Sequence, residues 1–147
     1  MADVKDPKIA EAYEKVRDDK DDTTWLLLDY ESDKSNTLTL TATGTGDLAE
    51  FTSNLKPERA SFGYVRVKYA NDDHSFREKF CLVIWIGEEV KIMRRARVSV
   101  HAADVKNVLR TYSIEVSAST PGDLKEDEIV QRLRRAGGAN YDRSKFD

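Results

Sequence analysis

Phe80-Cys81-Leu82-Val83-Ile84-Trp85-Ile86 is an unbroken apolar run in a chain of 147 residues of which 35% are charged. A strand that is apolar on both faces belongs inside a sheet covered on both sides, since neither face tolerates water. The run is far shorter than the ~20 residues that cross a bilayer. It therefore predicts an inner strand of a layered domain. The chain length matches one domain of about 100–150 residues, too small for a separate cofactor module.

Helical and strand patterns alternate around this run. Asp6 to Asp18 reads as a helix, with Asp6 as cap, Pro7 in the first turn and Ile9, Tyr13 and Val16 on one stripe. The aspartates from Asp18 to Asp22 oppose the dipole at its end and stop it. Thr24 to Tyr30 and Thr37 to Thr43 read as strands, the second alternating Thr with Leu or Ala. Asp47 to Leu55 is a short helix capped by Asp47, closed by Pro57. Ala60 to Tyr69 and Phe76 to Ile86 are paired strands around a turn at Asn71-Asp72-Asp73-His74. Lys91 to Arg97 is a basic stretch before Val98-Ser99-Val100, which is expected to be extended, and a helix follows from about Ala102 to Arg110. Tyr112 to Ala118 forms a further strand with Tyr112, Ile114 and Val116 on one face. Asp123 to Arg135 is the last helix, acidic at its start and basic at its end as the dipole prefers, with Gly137-Gly138 as its stop. The fold class is α/β, with a mixed five-stranded sheet and about four helices, in a domain over residues 1–137. Residues 138–147 are expected to form a mobile C-terminal tail.

Catalysis finds little support. Cys81 is the only cysteine and lies in the apolar run, as a small core residue does. His74 falls in a polar turn and His101 near a helix start, and neither has a nucleophile or paired carboxylate at a defining spacing. Two histidines and one cysteine fall short of a zinc site, and the carboxylate runs lack a calcium-loop pattern. Gly44-Thr45-Gly46 lacks the third glycine of a dinucleotide turn, and Asp47 would repel pyrophosphate. No cofactor and no metal are expected. The first residues lack the apolar stretch of a signal peptide, which fits a reducing cytosol.

The net charge of −3 conceals a division. Residues 1–55 hold 6 basic and 13 acidic side chains, residues 56–110 hold 12 and 7, and the rest hold 6 and 7. A basic middle in a mildly acidic protein argues against general nucleic-acid binding, which favours a global excess. It fits a local contact with an acidic partner. In an extended strand Arg77 and Lys79 share a face, and Arg95 and Arg97 share one if their stretch is extended too. Two such pairs brought together by folding would make one rigid basic patch. The plainer reading is that Arg77 pairs with Glu78 or Asp73 and the others are simply solvated.

Lys79 to Glu88, followed by Ala136-Gly137-Gly138-Ala139-Asn140-Tyr141-Asp142, and Val16-Arg17-Asp18-Asp19 at the end of the first helix, resemble the actin-depolymerising factor homology family. The likeness is to its small single-domain members and extends along essentially the whole chain. It implies a non-enzymatic protein of cytoplasm and cytoskeleton. Such a protein binds the side of filamentous actin, has little affinity for monomers, does not sever, and competes with capping proteins. Lys79 matches the family's key filament contact, Arg77 the basic residue two positions earlier, and Arg95-Ala96-Arg97 the basic pair before the long helix. Actin is acidic, so the charge division agrees. Phe76-Arg77-Glu78 departs from the adjacent basic residues of many relatives, and Glu78 is expected to face away from Lys79. The alternative is an adaptor that uses the same patch for another protein or for phosphoinositide headgroups, with no integral membrane association.

Overall fold

The computed structural model describes the backbone of residues 1–70 and 75–146, with side chains through residue 136. In chain order the elements are α1 (Pro7–Arg17), β1 (Trp25–Tyr30), β2 (Leu38–Gly44), α2 (Leu48–Thr52), β3 (Ala60–Ala70), β4 (Phe76–Ile86), α3 (Ile92–Val108), β5 (Ile114–Ala118) and α4 (Glu126–Phe146), with a 3₁₀ turn at Pro121–Leu124. The strands form a single mixed sheet in the order β2-β1-β3-β4-β5, antiparallel except for the parallel β4–β5 pair.

The doubly apolar strand sits where its pattern demands, between β3 and β5. Leu82 and Ile84 enter a core closed by Ile9, Tyr13 and Val16 of α1 and Val98, Ala102 and Val105 of α3. Cys81, Val83 and Trp85 enter the opposite core with Phe51 of α2 and Ile129 and Leu133 of α4. Each fully buried large apolar side chain contributes roughly 1.5–3 kcal/mol, so two cores on one strand account for the three-layer architecture. The N-terminal caps are those read from the sequence: Asp6 accepts from Lys8 N–H and Asp47 from Glu50 N–H, each at 3.0 Å.

Three expectations are corrected. Val98-Ser99-Val100 is not extended; with the basic stretch from Ile92 to Arg97 before it, it lies in α3, a helix of 17 residues. The Val98-Ser99-Val100 alternation misled, because Val98 is buried while Val100 is 61% exposed. The governing pattern is Val98, Ala102, Val105 and Leu109, one continuous helical stripe. Gly137-Gly138 does not end the last helix, whose backbone remains helical to Phe146. The glycine stop needs a left-handed residue, and no described glycine has a positive φ. Tyr112 precedes β5 and packs into the α1/α3 core, whereas Ile114 and Val116 enter the other. The turn at Asn71-Asp72-Asp73-His74 lies outside the described residues.

Gly63 marks the tightest packing between sheet and helix. A Cβ there would lie 2.2 Å from Cζ of Phe51, a ring held edge-on against Trp25. Gly63→Ala is expected to cost about 1–3 kcal/mol by overpacking. Gly122→Ala meets nothing nearer than Thr120 Oγ1 at 3.6 Å and should remain within about 0.5 kcal/mol of the parent. Urea denaturation of the two variants tests both values.

Candidate functional site

β3 and β4 pair along their whole length, from Ala60 opposite Ile86 to Ala70 opposite Phe76. β1 joins β3 only from Trp25 opposite Val65, and β5 joins β4 only from Cys81 opposite Ile114. The outer half of the hairpin therefore extends beyond both neighbours, and Arg77 and Lys79 are on it. They face the α2/α4 side, Lys79 opposite Val67 and Arg77 opposite Tyr69. Glu78 points the other way and meets Arg66 at 3.7 Å, so it does not neutralise Lys79. Pairing of Arg77 with Glu78 is thereby excluded. Among the described residues the side chains of Arg77 and Lys79 take part in no hydrogen bond or ion pair.

Arg66 shows why the outer hairpin is rigid. Its Nε donates to the carbonyl of Val16 at 2.9 Å, and its Nη atoms donate to those of Asp18 at 2.8 Å and Asp21 at 3.2 Å. One guanidinium thus satisfies the orphan carbonyls at the end of α1 and ties that helix to β3. Phe80 stacks on Tyr64 at 5.4 Å on the same side. Across the sheet, Arg134 of α4 donates to the Ala70 carbonyl at 2.7 Å and lies 5.9 Å from the Tyr69 ring, beside Arg77 in register. Sequence reasoning placed Arg134 at a basic helix end, but the docking of α4 brings it to this surface.

The other pair is on α3. At about 100° per residue, Arg95 and Arg97 point nearly opposite ways. Arg95 turns toward the sheet half of the helix, with Val98 and Ala102. Its Nε donates to the Val90 carbonyl at 2.8 Å, and Nη2 to those of Glu88 at 2.8 Å and Gly87 at 3.1 Å. Arg97 is exposed and shares the outward half with Met93 and Val100, which are 70% and 61% exposed. Ile92, 82% exposed, borders this stripe. The sequence reading missed it, because a segment read as extended conceals a helical spacing of four and three.

Folding does not bring the two basic pairs together. Lys79 lies eight strand positions before Gly87, roughly 26 Å at about 3.3 Å per residue, and α3 starts at the Gly87 end. Lys79 also faces the α2/α4 layer, whereas α3 covers the other side. The expected single patch is instead two surfaces on opposite faces and at opposite ends of β4.

The remaining candidates are structural. Burial pushes the Cys81 thiol up to about 12, so it is an inert core group. A Cβ on Gly44 would enter the Trp25 ring, which accounts for that glycine without a phosphate. His74 lies outside the described residues. His101 is inside α3 rather than at its start, 3% exposed, and shares a hydrogen bond of 2.7 Å with the Tyr30 hydroxyl. No described cluster of His, Cys, Asp and Glu could hold a metal ion. No described helix is long and apolar enough to cross a membrane.

Residues 1–134 match the profile of the cofilin/tropomyosin-type actin-binding protein family. The chain belongs to this family. Within it the likeness is to coactosins. The chain is 38% identical to Dictyostelium discoideum coactosin over 99% of its own length and 98% of that protein. The crystal structure of coactosin from Entamoeba histolytica superposes with a TM-score of 0.83 at 31% identity, covering 93% of this chain and 97% of that one. The structure of mouse coactosin, an actin filament binding protein, gives 0.74 at 31%, covering 97% of each. This is a non-enzymatic actin-binding family, and its fold is the five-stranded mixed sheet with four helices described above.

His101 gives this member of the family a pH-dependent stability. Burial holds its pKa below the ordinary 6.5, aided by the N-terminal amine, Arg94 and Arg97 and opposed by Asp104. The unfolded chain therefore binds more protons below pH 6.5, and stability falls as the pH drops through that value. Urea midpoints should decrease from pH 7.5 to 5.5 in the parent. The decrease should be smaller in His101→Gln.

Proposed function

We propose that this protein binds along the side of actin filaments, with little affinity for monomers and no severing, and counteracts filament capping in the cytoplasm. The observation that carries this reading is a contrast among its cations. Arg66, Arg94, Arg95, Arg132 and Arg134 donate to the protein's own main-chain carbonyls. Lys79, Arg77 and Arg97 make no such bond among the described residues. Their charges are available to an acidic partner and stand on rigid elements that need no ordering on binding.

The two-surface geometry favours a polymer. Lys79 and Arg77 on the hairpin and Arg97 with Met93 and Val100 on α3 are too far apart to hold one small anion. A partner of repeated subunits can meet both surfaces at once, and simultaneous engagement raises the avidity of two weak contacts. A phosphoinositide headgroup would need these charges gathered in one place. The likeness to mouse coactosin, an actin filament binding protein, supports the same partner.

Co-sedimentation with actin filaments near physiological salt, with a monomer-binding control, tests the reading. The parent should pellet with filaments and ignore monomers. Lys79→Ala should abolish pelleting while changing stability by no more than about 1 kcal/mol, since Lys79 is half-buried and its side chain makes no hydrogen bond or ion pair among the described residues. Equal pelleting of variant and parent would remove Lys79 from the site, and no pelleting of the parent would reject the filament reading.

A further inference from the structure

α3 begins without the usual devices of a helix start. Lys91 at its N-cap makes no side-chain capping bond, and the first turn contains no acidic residue. Lys91, Arg94, Arg95 and Arg97 instead crowd positive charge against the positive end of the helix dipole, where each cation is unfavourable. The start of this helix must be held from outside.

Arg95 supplies that hold. Its three bonds reach Gly87, Glu88 and Val90, the whole connection between β4 and α3. That connection is itself fastened to the segment before β3: Gly87 N–H donates to the Arg59 carbonyl at 3.0 Å and Glu89 N–H to that of Pro57 at 2.9 Å. Gly87 makes this approach possible, since a Cβ there would lie 2.1 Å from the Pro57 oxygen. The order of support runs from the entry of β3, through residues 87–90, through the Arg95 guanidinium, to the first turns of α3. A planar fork with fixed donor directions serves three carbonyls in this way, whereas the point charge of a lysine ammonium does not.

We propose that Arg95 acts in filament binding as a positioning residue, clamping α3 so that Arg97, Met93 and Val100 stand at a fixed place relative to Lys79. The inference rests on the filament-binding reading and deepens it. A partner that engages two surfaces on opposite faces of the sheet requires their spacing to be set beforehand. An α3 released at its first turns must be ordered during binding, which lowers affinity without removing a contact.

Four variants separate position from contact: Arg95→Lys, Arg95→Gln, Arg97→Lys and Arg97→Gln, each assayed by filament co-sedimentation over a range of KCl and by amide hydrogen exchange. Arg95→Lys should bind about tenfold more weakly, a change of roughly 1.4 kcal/mol, with the parent's salt dependence and with faster exchange across residues 95–98. Arg97→Lys should bind within about twofold of the parent, while Arg97→Gln should bind more weakly with a shallower salt dependence, as loss of a screened charge contact requires. Parent-like binding by Arg95→Lys together with a shallower salt dependence in Arg95→Gln would make Arg95 a direct contact and overturn the proposal. Unchanged exchange in Arg95→Lys would overturn the clamp itself. Failure of the parent to pellet would reject the filament reading and the role of Arg95 in it, while the exchange rates would still decide whether the clamp exists.

Discussion

The full-length pairing of β3 with β4 is the constraint on which the rest of the molecule is arranged. Its inner half is apolar on both faces, so it requires a helical layer on each side, and α1 with α3 and α2 with α4 provide them. Its outer half continues the same hydrogen-bonded ladder past β1 and β5, so Lys79 and Arg77 are carried outward on backbone as firmly registered as the core. A single ladder thus provides both stability and a rigid platform. Strands hold functional side chains more precisely in place than loops do.

Arginine gives the second layer of order. The chain is poor in long connections but rich in guanidinium groups directed at its own carbonyls. Arg66 closes the end of α1. Arg94 lies 3.8 Å from the centre of the Tyr30 ring and donates to the carbonyls of Asp33 and Ser35 in the turn after β1. Arg95 fastens the start of α3, and Arg132 and Arg134 bind α4 to β5 and β3. Charge-assisted bonds of this kind are stronger than neutral ones, and several carbonyls gathered by one rigid fork lose little entropy. In the basic middle of the chain, Arg66, Arg94 and Arg95 are thus turned inward. Arg77 on the hairpin and Arg97 on α3 remain outward, on two separate surfaces.

The sequence by itself determined the order and type of nearly every element, because local periodicity and capping decide them. Ile9, Tyr13 and Val16 have one helical spacing, Asp6 and Asp47 are caps, and the doubly apolar run from Phe80 allows only an inner strand. It also decided that Arg77 and Lys79 share a face opposite Glu78, since strand alternation is a property of the backbone. It failed at Val98 to Val100, where two valines two apart imitated a strand and the longer stripe through Leu109 was the true signal. Tertiary structure alone decided which cations remain available. Whether Arg95 contacts a partner or the Gly87 carbonyl, whether Arg134 arrives beside Arg77, and whether two basic pairs meet or stand apart all depend on how distant segments pack. Those contacts join residues far apart in the chain, and no local pattern encodes the distance between them.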